Sequence, residues 1–134
     1  MTDASTQELL AAMPFARGCG IEIIHTSKSE VSARMAWRED LCTTNGILHG
    51  GVLMAFADTI GAVCAFLNLP EGAGTGTLAS STSFLRAVRE GEVTATATPL
   101  HTGRSTIVVR TDLRDSQRKL VATTTQTQAV LGGA

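Results

Sequence analysis

One long apolar run stands out in the pattern of hydrophobic and polar residues along this chain. Between residues 52 and 69 only Asp58 is charged, and nearly all the other residues are apolar or small. A helix this apolar is either buried on all sides or inserted in a membrane. A carboxylate near the middle of the run is costly in lipid, and the flanks lack the basic clusters that position a span. We therefore predict a core helix that begins near His49 and carries one buried acid.

Alternation of apolar and polar residues predicts strands on both sides of this helix. The clearest alternation comes before the helix, where Val31, Ala33, Met35 and Trp37 share one face of a strand. Two strands are predicted before the helix and four after it. The predicted strands cover residues 19–27, 30–37, 77–85, 92–100, 105–113 and 120–131.

The connections between the later strands are expected to be short. They are residues 89–91, 101–103 and 115–117. Links of this length join antiparallel neighbours, so each is predicted to connect strands that pair with each other. Residues 71–76 are rich in glycine and are predicted to form a loop. Near the N-terminus, the pattern Ser5-x-x-Glu8 resembles a capping box and predicts a short helix that ends at Pro14.

The lengths of the predicted elements favour one architecture. A helix of about 19 residues is roughly 28 Å long, and strands of about eight to ten residues span roughly 27–34 Å. The predicted fold class is α+β, with a six-stranded antiparallel sheet wrapped around one long central helix in a single domain of residues 1–134. One sheet face cannot cover a helix that is apolar on nearly every side. We therefore also expect a second subunit, and hence a symmetric dimer at least.

Composition and charge narrow the class of protein. With 134 residues, of which 43% are hydrophobic, the chain is long enough for one domain with a buried core. The net charge of -1 argues against binding to nucleic acid or to a membrane surface, because both require a positive field. Only 4% of the residues are aromatic and none is Tyr, so a surface that stacks on bases is not expected.

The cysteines and the N-terminal sequence give evidence about the cellular compartment of the protein. Cys19, Cys42 and Cys64 are odd in number and form no close pair, which is typical of unpaired thiols in a reducing compartment. No basic segment followed by an apolar stretch opens the sequence, so we predict no signal peptide and a cytoplasmic location. No group of His, Cys and Asp residues has the spacing of metal ligands, and no metal is expected.

Four motifs occur along the chain in a characteristic order. They are residues 45–51 (Asn-Gly-Ile-Leu-His-Gly-Gly), Asp58, residues 82–91 (which include Phe-Leu-Arg and end in Glu-Gly), and the turn Gly103-Arg104-Ser105. In this order they resemble the hotdog-fold acyl-CoA thioesterases, in particular the 4-hydroxybenzoyl-CoA and phenylacetate-pathway (PaaI-type) thioesterases. The resemblance extends from about residue 20 to residue 130. It implies a hotdog fold and the hydrolysis of a small or aromatic acyl-CoA to the free acid and coenzyme A.

The resemblance also implies roles for particular residues. Asp58 matches the catalytic carboxylate of the family, and Gly50 matches the residue whose backbone N–H polarises the thioester carbonyl. Thr77 lies near the hydroxyl group that helps to hold the attacking water. Many members carry Asn or Gln six residues before the motif histidine, where this chain has Thr43, and the nearest amide is Asn45.

Elementary chemistry supports a site at the start of the long helix. The first turn of a helix has unpaired N–H groups and a partial positive charge, and Gly50 and Gly51 let a substrate approach them. Backbone donors there could hold the oxyanion of a thioester under attack. Asp58 lies eight residues beyond Gly50, about 12 Å along the helix axis, so one helix would struggle to place both groups on one carbonyl. We therefore expect an active site shared across a dimer interface. The spacing leaves dimer versus tetramer open, and the expected assembly is a homotetramer built as a dimer of dimers.

Arginines at strand ends and turns are candidates for contact with the substrate. Arg86, Arg89 and Arg104 could meet the phosphates of coenzyme A, and Gly103 and Ser105 flank Arg104 in a turn that suits an anion. The chain has no Walker or dinucleotide fingerprint. We therefore expect no bound cofactor, and coenzyme A would enter only as part of the substrate.

Several alternatives stay open at the level of sequence. Asp58 could act as a general base on water, attack the thioester to form an anhydride, or merely accept structural hydrogen bonds. His49 is expected to orient the turn and not to act as the base. The chain could also be a non-catalytic acyl-CoA-binding hotdog module, or a hotdog hydratase or dehydratase in which His49 and Asp58 act around a C–H bond.

Overall fold

A computed structural model of the protein describes residues 4–133. Its helices are α1 (Ala4–Ala11), α2 (Pro14–Gly18) and α3 (Gly50–Phe66). Its strands are β1 (Glu22–Thr26), β2 (Val31–Ala36), β3 (Ala73–Phe84), β4 (Glu92–Thr102), β5 (Thr106–Arg114) and β6 (Leu120–Gly132). Two short 3-10 helices, Glu39–Leu41 and Thr44–Gly46, lie in the connection from β2 to α3. The predicted long helix and all six predicted strands are therefore present.

The six strands form one sheet in the order β1-β2-β4-β5-β6-β3, with every neighbouring pair antiparallel. This confirms the prediction of a six-stranded antiparallel sheet with one long helix.

The prediction that residues 89–91 link two neighbouring strands is wrong, because β3 pairs with β6 and β4 pairs with β2. The chain crosses from the edge strand to the middle of the sheet through residues 85–91. The N–H of Leu48, just before α3, donates to the carbonyl of Val88 and holds this crossing near the start of the helix (2.9 Å).

The concave face of the sheet packs against one side of α3. The side chains of Ile107, Val109 and Leu113 in β5 and those of Phe56 and Ile60 in α3 are all fully buried. Thr111 is buried with them, which confirms the predicted face of β5. Burial of a large apolar side chain contributes roughly 1.5–3 kcal/mol, so this contact holds α3 on the sheet.

The opposite side of α3 is not covered by the chain's own sheet. Gly51, Met54, Asp58 and Phe66 are exposed and lie three, four or eight residues apart, which places them along one stripe of the helix. The prediction of a buried acid is therefore wrong for the single chain. The physical reason is geometric, because a single curved sheet encloses only one side of a helix. We call residues 51, 54, 58 and 66 the exposed stripe of α3.

Two further boundaries differ from the sequence-based expectation. The glycine-rich segment is not a loop throughout, because β3 begins at Ala73 and its glycines pair with the end of β6. Pro14 follows the first helix, as expected, but it also begins α2, where a proline at the first helical position is favourable. The side chain of Ser5, half of the predicted capping box, lies outside the described residues. In residues 4–133, no helix has the length and apolarity needed to cross a membrane.

Candidate active site

The turn that leads into α3 is built from Asn45, Gly46 and Trp37. Asn45 and Gly46 adopt left-handed backbone conformations, with φ of 63° and 69°. Asn and Gly tolerate this region better than other residues, which explains why they occupy these positions. The indole Nε1 of Trp37 donates a hydrogen bond to the carbonyl of Gly46 (2.9 Å). Asn45 thus has a clear conformational role, and the role of its exposed amide toward a substrate stays a prediction.

His49 caps the N-terminus of α3. Its Nδ1 accepts the backbone N–H of Gly51 at 2.8 Å, which leaves Nε2 as the protonated nitrogen of the neutral ring. A Cβ on Gly51 would lie 2.9 Å from the same Nδ1, so the close approach of the imidazole requires glycine. This contact orients the turn, and a catalytic role for His49 stays a prediction.

Gly50 presents an unused backbone donor at the same helix end. Within residues 4–133 its N–H has no hydrogen-bond acceptor, and it belongs to the first turn, where the helix carries a partial positive charge. The ring of Phe84, at the end of β3, lies 3.4 Å from the position that a Cβ on Gly50 would take. The Gly50 N–H is therefore available to an oxyanion beside an aromatic wall.

Asp58 lies at mid-helix on the exposed stripe and is held through one oxygen. Its Oδ1 accepts hydrogen bonds from Thr77 Oγ1 (2.9 Å) and from Gln126 Nε2 (3.2 Å). The register of β3 against β6 shifts between Thr77 and Ala79, and such bulges change the direction of a side chain. No donor within residues 4–133 contacts Asp58 Oδ2, which leaves this oxygen free to meet water or a substrate.

Two buried glutamines that the sequence analysis did not select lie behind Asp58. Gln126 and Gln128 in β6 are each 1% exposed, and Gln126 Nε2 donates to Gln128 Oε1 (2.9 Å). Gln128 Nε2 in turn donates to Thr75 Oγ1 (3.1 Å). Their position two residues apart was the available signal, but polar residues in alternation are more often found on the solvent face of a strand.

The candidate residues for binding coenzyme A lie at two ends of the sheet. Arg86 and Arg89 follow β3 and are exposed near the start of α3, whereas Arg104 is exposed in the turn between β4 and β5. That turn, residues 103–105, lies beside the far end of β6, where Val130 donates its N–H to the carbonyl of Ser105. β5 separates the two ends by about 27 Å, so one chain does not bring these two groups together.

Thr43 is exposed in the connection before α3. Its backbone N–H donates to the carbonyl of Ile47 (2.8 Å), so Thr43 takes part in shaping the loop that precedes His49. Contact between its side chain and a substrate stays a prediction.

Asp58 lines neither of two surface clefts found among the described residues. A cleft of about 430 Å³ is lined by Arg89, Glu90 and the turn of residues 115–117, among others. It lies beside the Arg86–Arg89 crossing and not at the exposed stripe of α3. Because the stripe is open in one chain, a closed substrate pocket around Asp58 would need atoms from elsewhere. In the described part of the chain, no three His, Cys, Asp or Glu side chains lie close enough together to hold a metal ion.

Comparison with known proteins places the chain in a family. Residues 45–122, more than half of the chain, match the profile of the Thioesterase superfamily. A protein of Haemophilus influenzae that carries the name "Putative esterase" is 38% identical over 112 residues, which cover 84% of this chain and 81% of that protein. The matched region contains the turn before α3, Asp58 and β3.

Solved structures agree with this assignment. The crystal structure of thioesterase HI1161 from Haemophilus influenzae superimposes with a TM-score of 0.90 and 32% identity, covering 98% of this chain and 92% of that one. The PaaI protein from the phenylacetic acid degradation operon of E. coli superimposes with a TM-score of 0.88 and 26% identity, covering 96% of this chain and 91% of that one. The predicted hotdog fold and the predicted class of thioester hydrolase are confirmed at the level of the family, and the chain belongs to the Thioesterase superfamily.

Proposed function

We propose that this protein is an acyl-CoA thioesterase that hydrolyses a small or aromatic acyl-CoA to the free acid and coenzyme A. The observation that carries the proposal is the hydrogen bonding of the Asp58 carboxylate. One oxygen is held by Thr77 and Gln126, and the other is without a donor on the exposed stripe of α3. General-base or nucleophilic catalysis needs a carboxylate oxygen that can meet water or the thioester, and the free oxygen of Asp58 meets this requirement.

The proposed reaction uses Asp58 and the N–H of Gly50. In the general-base route, Asp58 Oδ2 takes a proton from water while the water oxygen attacks the thioester carbon. The Gly50 N–H stabilises the resulting oxyanion. The C–S bond then breaks, and the proton held by Asp58 passes to the departing thiolate of coenzyme A. In the anhydride route, the carboxylate itself attacks and expels the thiolate, and water then hydrolyses the anhydride.

The spacing of the two groups supports an active site shared between two chains. Gly50 and Asp58 lie about 12 Å apart along the axis of α3. A second α3, antiparallel across a two-fold axis, would bring its own Asp58 beside Gly50. It would also cover Met54, which lies midway between the two and is 40% exposed in the single chain. We therefore propose a homodimer with two shared sites, and a dimer of dimers as the full assembly.

The first experiment compares wild type with Asp58→Asn on a panel of short-chain and aromatic acyl-CoAs. Release of thiol is followed with a disulfide dye. We expect turnover by wild type and a loss on the order of a hundredfold or more for Asp58→Asn, the magnitude of general acid–base catalysis. Asp40→Asn is a matched control, because Asp40 is exposed and pairs with Arg38 (2.9 Å) away from this site. Equal activity of Asp58→Asn and wild type would make Asp58 a structural residue.

The dye also reacts with protein thiols, and the structure indicates which one matters. Cys19 and Cys64 are buried, whereas Cys42 is half-buried and is the thiol that we expect the dye to reach. A blank without substrate removes this contribution.

A second experiment tests the shared site through Gly50→Pro. Gly50 is the first residue of α3, where proline is tolerated, and His49 before it is extended (φ -61°, ψ 134°), as the residue before a proline should be. The variant removes the N–H and keeps the helix. We expect a fall in kcat of about a hundredfold to a thousandfold, as for the loss of one oxyanion donor.

Mixing the two inactive variants gives the decisive result. If each site uses Asp58 from one chain and Gly50 from the other, a dimer of one Asp58→Asn and one Gly50→Pro chain contains one intact site. Statistical mixing would then restore about a quarter of wild-type activity. A site made within one chain would show no recovery after subunit exchange.

The hydratase alternative is tested in the same panel. Crotonyl-CoA is included, and the absorbance of its enoyl group is followed. His49 Nδ1 is occupied by the Gly51 N–H, and no described contact joins His49 to Asp58, so the geometry does not favour a His–Asp pair around a C–H bond. Loss of the enoyl absorbance without release of thiol would favour the hydratase.

A further inference from the structure

The two buried glutamines behind Asp58 are not explained by packing. Gln126 and Gln128 lie on the face of β6 that contacts α3, where the neighbouring strand β5 and the strand β4 beyond it present mainly apolar residues. Burial of an amide costs free energy unless its hydrogen bonds are replaced, so an amide pair in a core needs a reason. The contacts of this pair lead to the carboxylate of Asp58.

We propose that Gln126 is a positioning residue that fixes the Asp58 carboxylate for catalysis, with Gln128 and Thr75 fixing Gln126. The inference rests on the proposed function of Asp58. It assigns to these buried residues of β6 and β3 the task of holding Oδ1 so that Oδ2 faces the reacting groups.

The directions of the hydrogen bonds are determined from one end of the network. Thr75 Oγ1 donates its single hydrogen to the carbonyl of Ala129 (2.7 Å), so it can only accept from Gln128. The nitrogen of Gln128 must therefore face Thr75, and its oxygen must face Gln126. Gln126 then has to present its nitrogen to Gln128, which directs the same Nε2 at Asp58 Oδ1 (2.9 and 3.2 Å).

Thr77 links the carboxylate to the same network. Its hydroxyl has one hydrogen and two acceptors within reach, Asp58 Oδ1 at 2.9 Å and Gln128 Oε1. The hydroxyl can donate to only one of them at a time, whereas Gln126 Nε2 has two hydrogens and can donate to Gln128 and to Asp58 together. Gln126 is therefore the donor whose direction toward Asp58 Oδ1 is fixed by the network.

Gly61 makes room for Gln126 beside the helix. It lies three residues after Asp58, and a Cβ there would collide with Gln126 Oε1. Gln126 Oε1 itself is buried and has no hydrogen-bond partner among the described residues. Leaving a buried carbonyl without a donor is unfavourable. Two features therefore need an explanation: the glycine at position 61 and the unpaired Oε1 of Gln126. Both are explained if the nitrogen of Gln126 must reach Asp58.

The test is the near-isosteric substitution Gln126→Met, which keeps the volume and removes the donor. We expect kcat to fall roughly tenfold to a hundredfold, as for loss of a hydrogen bond to a charged group, and KM to change by less than about twofold. Thr125→Met is the control, because it places the same side chain on the exposed face of β6 one residue away. A Gln126→Met variant with the kcat of wild type would overturn the inference.

The double variant separates positioning from a general structural effect. If Gln126 acts through Asp58, then Gln126→Met should not lower the residual kcat of Asp58→Asn any further. An equal fall in both backgrounds would overturn the inference. If Gln126→Met does not fold, Thr75→Val decides the question. A fall in kcat of about threefold at constant KM supports the network, and an unchanged kcat overturns it.

The same set of variants distinguishes the two proposals. An inactive Asp58→Asn together with a fully active Gln126→Met would overturn only the role of Gln126. An active Asp58→Asn would overturn the catalytic role of Asp58 and, with it, this inference. If wild type hydrolyses no thioester, the midpoint of urea unfolding is compared in place of kcat among wild type, the two single variants and the double variant. Gln126→Met should then shift the midpoint less in Asp58→Asn than in wild type, and equal shifts would overturn the contact.

Discussion

The two halves of the sheet face that packs on α3 present opposite chemistry to the same helix. In β2, β4 and β5 the inward residues are almost all apolar and fully buried, as Val31, Met35 and Val109 illustrate. In β6 and β3 the inward residues are mainly polar, and they include Gln126, Gln128 and the hydrogen-bonded pair Thr124 and Thr82. The apolar half holds the helix in place, and the polar half contacts its one carboxylate, Asp58.

The difference shows how one helix serves two purposes. An apolar contact is strong and non-directional, so it suits the attachment of α3 to the sheet. Hydrogen bonds are worth less in net free energy but have defined directions, so they suit the orientation of a reacting group. We therefore expect substitutions in the apolar half to change stability most and substitutions in the polar half to change activity most. Three predictions test this division, beginning with the largest expected effect on stability, and a fourth tests the burial of α3 itself.

Phe56→Ala should destabilise the protein most. Phe56 is fully buried between α3 and the sheet, and truncation of a buried Phe typically costs about 3–5 kcal/mol in the free energy of unfolding. Urea unfolding followed by circular dichroism measures this loss. Phe66→Ala on the same helix is the control, because Phe66 is 47% exposed in the single chain. A similar loss for both variants at subunit concentrations that prevent association would contradict the assignment of the apolar half.

Gly61→Ala should have the next largest effect on stability, because Gly61 is the position at which α3 packs against Gln126 of the polar half. Its methyl group would occupy the space of Gln126 Oε1, and overpacking of this kind costs about 1–3 kcal/mol. Displacement of the amide should also lower kcat. In a Gln126→Ala background the methyl group has room, so the destabilisation by Gly61→Ala should largely disappear. If the loss is as large in both backgrounds, the clash lies elsewhere.

Replacement of both amides, Gln126→Leu with Gln128→Leu, should affect stability much less. When both partners of a buried polar pair become apolar groups of similar size, the free energy of unfolding often changes by only about 1 kcal/mol in either direction. The activity should nevertheless fall at least about tenfold, because the Asp58 carboxylate loses a donor. Unfolding and thiol release measured on the same preparation check both statements. A destabilisation as large as that of Phe56→Ala would show that the amides hold the fold.

The smallest effect is expected from Cys64, and only at high pH. Burial in α3 raises the pKa of the Cys64 thiol from its ordinary value of 9.0 to about 11. Folding therefore favours the protonated thiol. Its contribution to stability is complete below pH 9.0 and is lost as the pH rises through about 11.

Urea midpoints measured between pH 8 and pH 11 for wild type and Cys64→Ala test this pH dependence. Wild type should lose stability more steeply than the variant above about pH 9, and the two slopes should agree below it. Parallel curves over the whole range would contradict the expected protonation of Cys64. The fully buried thiol should also fail to react with a disulfide dye in the folded protein.

Much of the local structure followed from the alternation of residues along the chain. The long helix was predicted from its continuous apolar run and the strands mainly from alternation, because both are patterns that a short segment reveals by itself. The pairing of β3 with β6 was not predicted, since the short link after β3 suggested a neighbour in β4. Strand order depends on which edges meet across the whole sheet, and no short segment contains that information.

The candidate site was predictable in its motif and not in its surroundings. His49, Gly50 and Asp58 could be selected from spacing and family resemblance. Gln126 could not, because a polar residue in an alternating strand has no mark that tells inward from outward. Only the register of β6 against β5 and β3 places it on the inner face.

The sequence by itself determined the elements of this protein and the single acid of its central helix, because hydrophobic periodicity and an isolated charge are local properties. Only the tertiary structure decided that Asp58 is exposed on a stripe of α3, that β3 lies at the far edge, and that two buried amides hold one oxygen of the carboxylate. These facts depend on contacts between residues as far apart as positions 58 and 126. Such contacts exist only after the sheet has closed over one side of the helix.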